Sequence, residues 1–232
     1  MKGSLKLLMR RIVKLRRKYH HPLIHRAHKN HRISRKTLFY MKEYGPRSNV
    51  AATIVKESVK ILILASVLSS VGGISLRMVR AELLTVLPLL ILLPALNDMI
   101  GDFGTIISSK FTTMLYTGKA GERWWQSPDV RKLLKTIGIV ALISSVYMGM
   151  LAYGIAYVKG FPFSVALLGK VVGISLLATG VLVSIIAFIS FTLGIYVYQR
   201  NEDPNNFLIP IATAVADVGS MLVFAALVMW MF

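Results

Sequence analysis

The sequence contains no cysteine. A disulfide framework and a thiolate metal site are both excluded. Acidic residues are scarce, 10 against 28 Lys and Arg. Histidine occurs only at His20, His21, His25, His28 and His31, so no imidazole is on hand as base or ligand in the rest of the chain. No nucleophile–base constellation and no cofactor motif appears, and an enzyme is not the expected reading. Short segments of alternating polarity are missing too. The apolar runs are long and continuous, which excludes a transmembrane β-barrel.

What the sequence has in quantity is apolar length. Of its 232 residues 55% are hydrophobic, and the mean hydropathy is +0.61. About 20 apolar residues suffice to cross a bilayer as a helix. Five such segments follow one another, at about Val55–Val79, Leu83–Thr117, Leu133–Val158, Phe163–Tyr198 and Phe207–Phe232. The expected fold is an all-α polytopic membrane protein with five transmembrane helices.

The net charge of +18 is concentrated at one end: residues 1–56 carry 16 Lys and Arg and one acid, Glu43. Residues 1–50 therefore read as a basic tail, and 51–232 as the membrane domain, with Gly45-Pro46 as the hinge. Leu5, Leu7, Leu8, Ile12 and Leu15 among Lys and Arg predict an amphipathic helix to about Tyr19, suited to anionic lipid headgroups. The tail lacks the short apolar stretch and small-residue cleavage site of a secretory signal. His21, His25 and His28 would share a helical face. No acid or cysteine completes a metal site there, so the stretch reads as solvated and polybasic. Nucleic-acid binding by the tail has no recognisable fold to support it. Lys119, Arg123, Arg131, Lys132, Lys135 and Arg200 fall on the tail's side of the membrane. Only Arg77, Arg80 and Lys159 fall on the other, which places the N-terminus in the cytoplasm and the C-terminus outside.

Three acids lie inside apolar segments: Asp98, Asp102 and Asp217. Facing lipid at a helix centre, each would cost about 2.5–3.5 kcal/mol on the insertion scale, so they point to an ion path. Lys110 and Lys170 are the candidate structural partners. Asp98 and Asp102 are one helical turn apart and stack on one face. Two close carboxylates repel unless a cation sits between them or one is protonated. Asn97 adds a neutral oxygen. Pro88, Pro94, Gly101 and Gly104 bracket the pair and predict a helix break there, with the Gly101 carbonyl exposed as a ligand. An all-oxygen set suits a hard cation, Mg²⁺, Ca²⁺ or Mn²⁺, and a few carboxylates around a partly hydrated ion suit Mg²⁺ best. The glycines of the fourth segment, Gly169, Gly173, Gly180 and Gly194, read as helix packing.

Three stretches resemble the membrane domain of the MgtE magnesium transporters and of their mammalian solute-carrier relatives. They are KES at Lys56–Ser58, LLPALNDMIGDFGTIISSKFTTMLYTG at Leu92–Gly118 and EDPNNFLIPIATAVADVGS at Glu202–Ser220. The resemblance implies a parallel homodimer enclosing one ion pathway. It implies Asp217 as the ion-binding aspartate of the fifth span, with Thr213 supplying a backbone oxygen one turn earlier. The family's Gly-Asn pair of the second span corresponds here to Gly101-Asp102, an acid replacing the amide. The short basic tail does not resemble that family's acidic sensor, so gating by such a sensor is not expected.

The metal-site residues are thus Asp217, Asp102, Asp98, Asn97, Thr213 and Gly101. Mg²⁺ is the expected cargo, and no cofactor is expected. The expected partners are a second copy of the chain, divalent cations and anionic lipid. The expected setting is a multi-pass plasma-membrane protein. The alternatives are a proton- or sodium-coupled divalent cation exchanger, and a membrane anchor that transports nothing. The anchor leaves three intramembrane acids without a purpose.

Overall fold

A computed structural model describes residues 55, 59, 62, 63, 66, 67, 69, 70 and 72–232, except 122, 201 and 202. The basic tail, its histidines and most of the first apolar segment lie outside the described residues. The described residues from Val55 to Ser75 are helical and lead into a 3-10 turn, Leu76–Val79. A short helix α1 (Arg80–Thr85) follows, and then four long ones: α2 (Leu87–Thr117), α3 (Pro128–Val158), α4 (Val165–Gln199) and α5 (Pro204–Met231). All four long helices have the length and apolar character to cross a membrane. The protein is a multi-pass membrane protein.

Local chemistry sets the helix ends. Gly118, at φ 74°, closes α2 in the left-handed conformation that favours glycine. The following amide, of Lys119, returns to the Met114 carbonyl at 2.9 Å. α3, α4 and α5 begin at oxygen-bearing caps, Ser127, Ser164 and Asp203, each accepting from a backbone N–H of the first turn. Pro128 and Pro204 occupy first-turn positions, where the missing N–H is harmless. Asp203 is buried, only 4% exposed.

α2 and α4 form the middle of the bundle, and both pack against α3 and α5 as well as each other. The core runs through Leu92, Leu96 and Ile107 of α2, Ile174 and Ile186 of α4, and Phe224 of α5. Phe111 and Phe191 meet at 4.6 Å between ring centroids, and Trp124 from the α2–α3 loop lies on Phe191 at 4.8 Å. Gly149 marks the tightest crossing: a Cβ there would lie 2.8 Å from the Val172 Cα. Small hydroxyls join the helices inside. Ser108 and Ser190 lie 3.1 Å apart, and Ser175 donates to the Ser145 carbonyl at 2.8 Å. The outer faces of α3 and α4 are apolar instead, with Ile139, Leu142, Ile143 and Met150 exposed on α3 and Phe188 on α4. Small polar residues inside and large apolar ones outside suit a bundle solvated by lipid.

Two expectations are corrected. The second segment is interrupted at Val86, between α1 and α2, not at the acids. α2 runs unbroken through Pro94 and Gly101 for 31 residues. Pro94 removes only one helical hydrogen bond, and buried Leu89, Leu92, Leu96 and Ile100 hold the turns around it against the bundle. The glycines of the fourth segment divide as well. Gly194 abuts Phe111 and Leu208, and Gly173 abuts Met231, whereas Gly169 and Gly180 face open space.

Candidate metal centre

Among the described residues, Asp217 is the most connected of the three intramembrane acids. It lies in mid-α5, facing α2. Its Oδ1 accepts from Asn97 Nδ2 of α2 at 3.0 Å, and its Oδ2 accepts from Ser69 Oγ at 3.3 Å. The Asn97 Oδ1 in turn accepts from Ser220 Oγ, one turn beyond Asp217 on α5. The same hydroxyl lies 3.1 Å from the Asp217 carbonyl. Ser220 is fully buried, while Asn97 and Asp217 are partly exposed. Three separate parts of the chain thus converge on one carboxylate.

Close packing makes this convergence possible. A Cβ on Gly72 would lie 3.0 Å from the Val218 Cα, so the helical stretch before Leu76 sits directly on α5. That contact brings Ser69 within reach of the acid. Farther along, Gly104 lies against α5 and α4: a Cβ there would stand 3.1 Å from Ala212 Cβ and 3.3 Å from Ile186 Cγ2. α2 and α5 are held close along the length that carries Asn97 and Asp217.

Asp98 and Asp102 do share one face of α2, as their spacing requires. That face is exposed and carries Leu90, Pro94, Asp98, Asp102, Ile106 and Lys110 at four-residue intervals. Asn97 lies about 100° round the helix from Asp98, which separates the Asp217 contact from the acidic stripe. Among the described residues, no three His, Cys, Asp or Glu gather into one metal-sized group. Thr213 is exposed one turn before Asp217, and its hydroxyl donates to the Ile209 carbonyl at 2.9 Å. The Gly101 carbonyl, expected to be free, belongs to the helix and also accepts from Thr105 Oγ1 at 3.2 Å.

Lys170, a candidate partner for these acids, is engaged elsewhere. It donates to the Met231 carbonyl at the end of α5 and stands 4.6 Å from the centroid of the Phe232 ring. Sequence reasoning missed Ser69 and Ser220. Both are small hydroxyls in apolar runs, and such residues are abundant in this chain as packing elements. No local signal separates them from Ser108 or Ser175.

A family model for MgtE, described as a divalent cation transporter, matches residues 93–227. The match begins in the first turns of α2 and ends near the end of α5, taking in Asn97, Asp98, Asp102, Thr213 and Asp217. No curated protein matches the chain, and no solved structure does.

Proposed function

Because the chain belongs to the MgtE family of divalent cation transporters, we propose that it carries Mg²⁺ across the plasma membrane along a path lined by its intramembrane carboxylates. The observation that carries this reading is Asp217. It is an acid within an apolar helix, held from two sides by neutral hydrogen-bond donors. Neutral donors fix a carboxylate without cancelling its charge. A lysine in place of Asn97 would give a closed ion pair with little left for a passing cation. Mg²⁺ gives up its water reluctantly, so a few carboxylates around a partly hydrated ion suit it better than a full protein cage.

The acidic stripe of α2 supports a path completed by a second chain. In this reading the working unit is a parallel homodimer, each copy with five spans, the first formed by the helix that contains Ser69. A two-fold axis along the membrane normal brings the Asp98–Asp102 stripes of the two copies face to face and doubles every acid around one path. Thr213, exposed one turn before Asp217, adds an oxygen to that path. The N-terminus lies in the cytoplasm, where the basic tail meets anionic lipid headgroups. The ion is cargo, and the transport requires no cofactor.

The test is purified protein sealed in lipid vesicles with a Mg²⁺ reporter inside. Asp217→Asn keeps the shape of the side chain, and an amide can preserve both hydrogen-bonded contacts. Only the charge goes. Flux is expected to vanish while the protein remains folded. Undiminished flux from this variant would remove Asp217 from the path.

A further inference from the structure

We propose that Asn97 is a positioning residue for Asp217, itself fixed by Ser220, and that it does not ligate the ion. This inference rests on the transport reading above and says how that reading's central acid is aimed. It starts from the polarity of the Asn97 amide. An ionised carboxylate only accepts hydrogen bonds, so the Asn97 group facing Asp217 Oδ1 at 3.0 Å must be the NH₂. The carbonyl end then points the other way, where the Ser220 hydroxyl donates to it. Both ends of the amide are used inside the protein. Its oxygen, the only atom with which it can bind a metal, is turned from Asp217 toward a residue with no exposed surface.

The consequence for the carboxylate is geometric. Asn97 holds one oxygen and Ser69 the other, the latter at 3.3 Å. The plane of the carboxylate is therefore set by two donors on different parts of the chain. Each oxygen keeps a lone pair, and the charge is undiminished. A carboxylate free to rotate would have to be ordered by each arriving ion, and binding would weaken by that ordering. The serine hydroxyl fixes the amide and the amide fixes the acid. Ser220 thus acts on the carboxylate through Asn97, since its other contact, 3.1 Å to the Asp217 carbonyl, is to the backbone of its own helix.

This chain of dependence has its own experimental signature. Mg²⁺ flux into vesicles would be measured against Mg²⁺ concentration for the wild type, Asn97→Leu, Ser220→Ala and the double variant. Asn97→Leu is expected to raise the half-saturating Mg²⁺ concentration about three- to tenfold, with maximal flux per folded protein kept. Ser220→Ala is expected to shift it in the same direction by less. The double variant should match Asn97→Leu alone, since the serine has nothing left to orient. Additive shifts would overturn the relay. An unchanged half-saturating concentration in Asn97→Leu, or in Ser220→Ala should the former not fold, would overturn the positioning role. Loss of maximal flux at an unchanged half-saturating concentration would overturn it too. If the wild type moves Mg²⁺ and Asp217→Asn does not, any of these failures belongs to the positioning inference and not to the transport reading.

Discussion

Replacing Asp98 and Asp102 together by Asn tests whether the exposed stripe of α2 is part of a metal site. The two carboxylates stand one turn apart on a helix, with Cβ atoms about 6 Å from each other. At that distance two like charges repel by about 0.7 kcal/mol in water and by about 3 kcal/mol at an effective dielectric constant of 20. The stripe is exposed on the single chain, so the lower figure holds for a wet face and the higher for one covered by a second chain. Removing both charges should therefore stabilise the metal-free protein by about 1–3 kcal/mol. At about 2–4 °C per kcal/mol for a chain of this size, the melting temperature rises by about 2–12 °C. Mg²⁺ should stabilise the two proteins unequally. At about 100 times its dissociation constant, a bound ion stabilises the wild type by about 2.7 kcal/mol, about 5–11 °C. The double variant should lose most of that increment. The assay is thermal unfolding in detergent with and without MgCl₂, with KCl at matched ionic strength as control. A variant that melts below the wild type without metal would refute the argument. An undiminished Mg²⁺ shift in the variant would refute it as well.

Three further outcomes follow from the same geometry. Asp217→Ala strands the Asn97 amide and the Ser69 hydroxyl, so it should lower stability by about 1–3 kcal/mol. Asp217→Asn should lower it by less than about 1 kcal/mol, and equal melting of the two variants would show that these bonds do not hold the bundle. Gly149→Ala drives a Cβ to 2.8 Å from the Val172 Cα and should destabilise by about 1–3 kcal/mol. Gly138→Ala on the same helix meets nothing within 4 Å and should stabilise by about 0.5–1 kcal/mol; melting curves of the pair decide whether the α3–α4 crossing is as tight as described. Asp203→Ala removes the cap that accepts from Asn205 N at 3.1 Å and should cost about 1 kcal/mol, read as a lower melting temperature. No change would show that the buried acid contributes nothing to the start of α5.

The starts of α3 and α5 were not legible in the apolar pattern, which begins at about Leu133 and Phe207, several residues after the caps Ser127 and Asp203. The long helices themselves were legible because lipid demands long apolar runs. The three intramembrane acids stood out for the same reason, since polarity within such runs is conspicuous. The continuity of α2 was not legible. Pro94 and Gly101 weaken a helix locally, but the packing that keeps α2 continuous comes from α3, α4 and α5, which no local reading includes. The partners of Asp217 were hidden in a similar way. Ser69 lies 148 residues from it and Asn97 lies 120, and neither spacing leaves a periodic trace. Asn97 adjoins Asp98 in sequence, yet it lies about 100° round the helix from that stripe, toward α5.

The most direct test of the account is divalent flux by the wild-type protein itself. Purified chain would be sealed in vesicles with no proton or sodium gradient, and the voltage set inside-negative by a potassium gradient and an ionophore. Mg²⁺, Mn²⁺, Ca²⁺ and Na⁺ would be compared in parallel. The account predicts saturable Mg²⁺ entry well above protein-free vesicles, growing with the inside-negative voltage, with Na⁺ entry at the protein-free level. Mg²⁺ entry that appears only when a proton or sodium gradient is imposed, or none at all from well-folded protein, would contradict it.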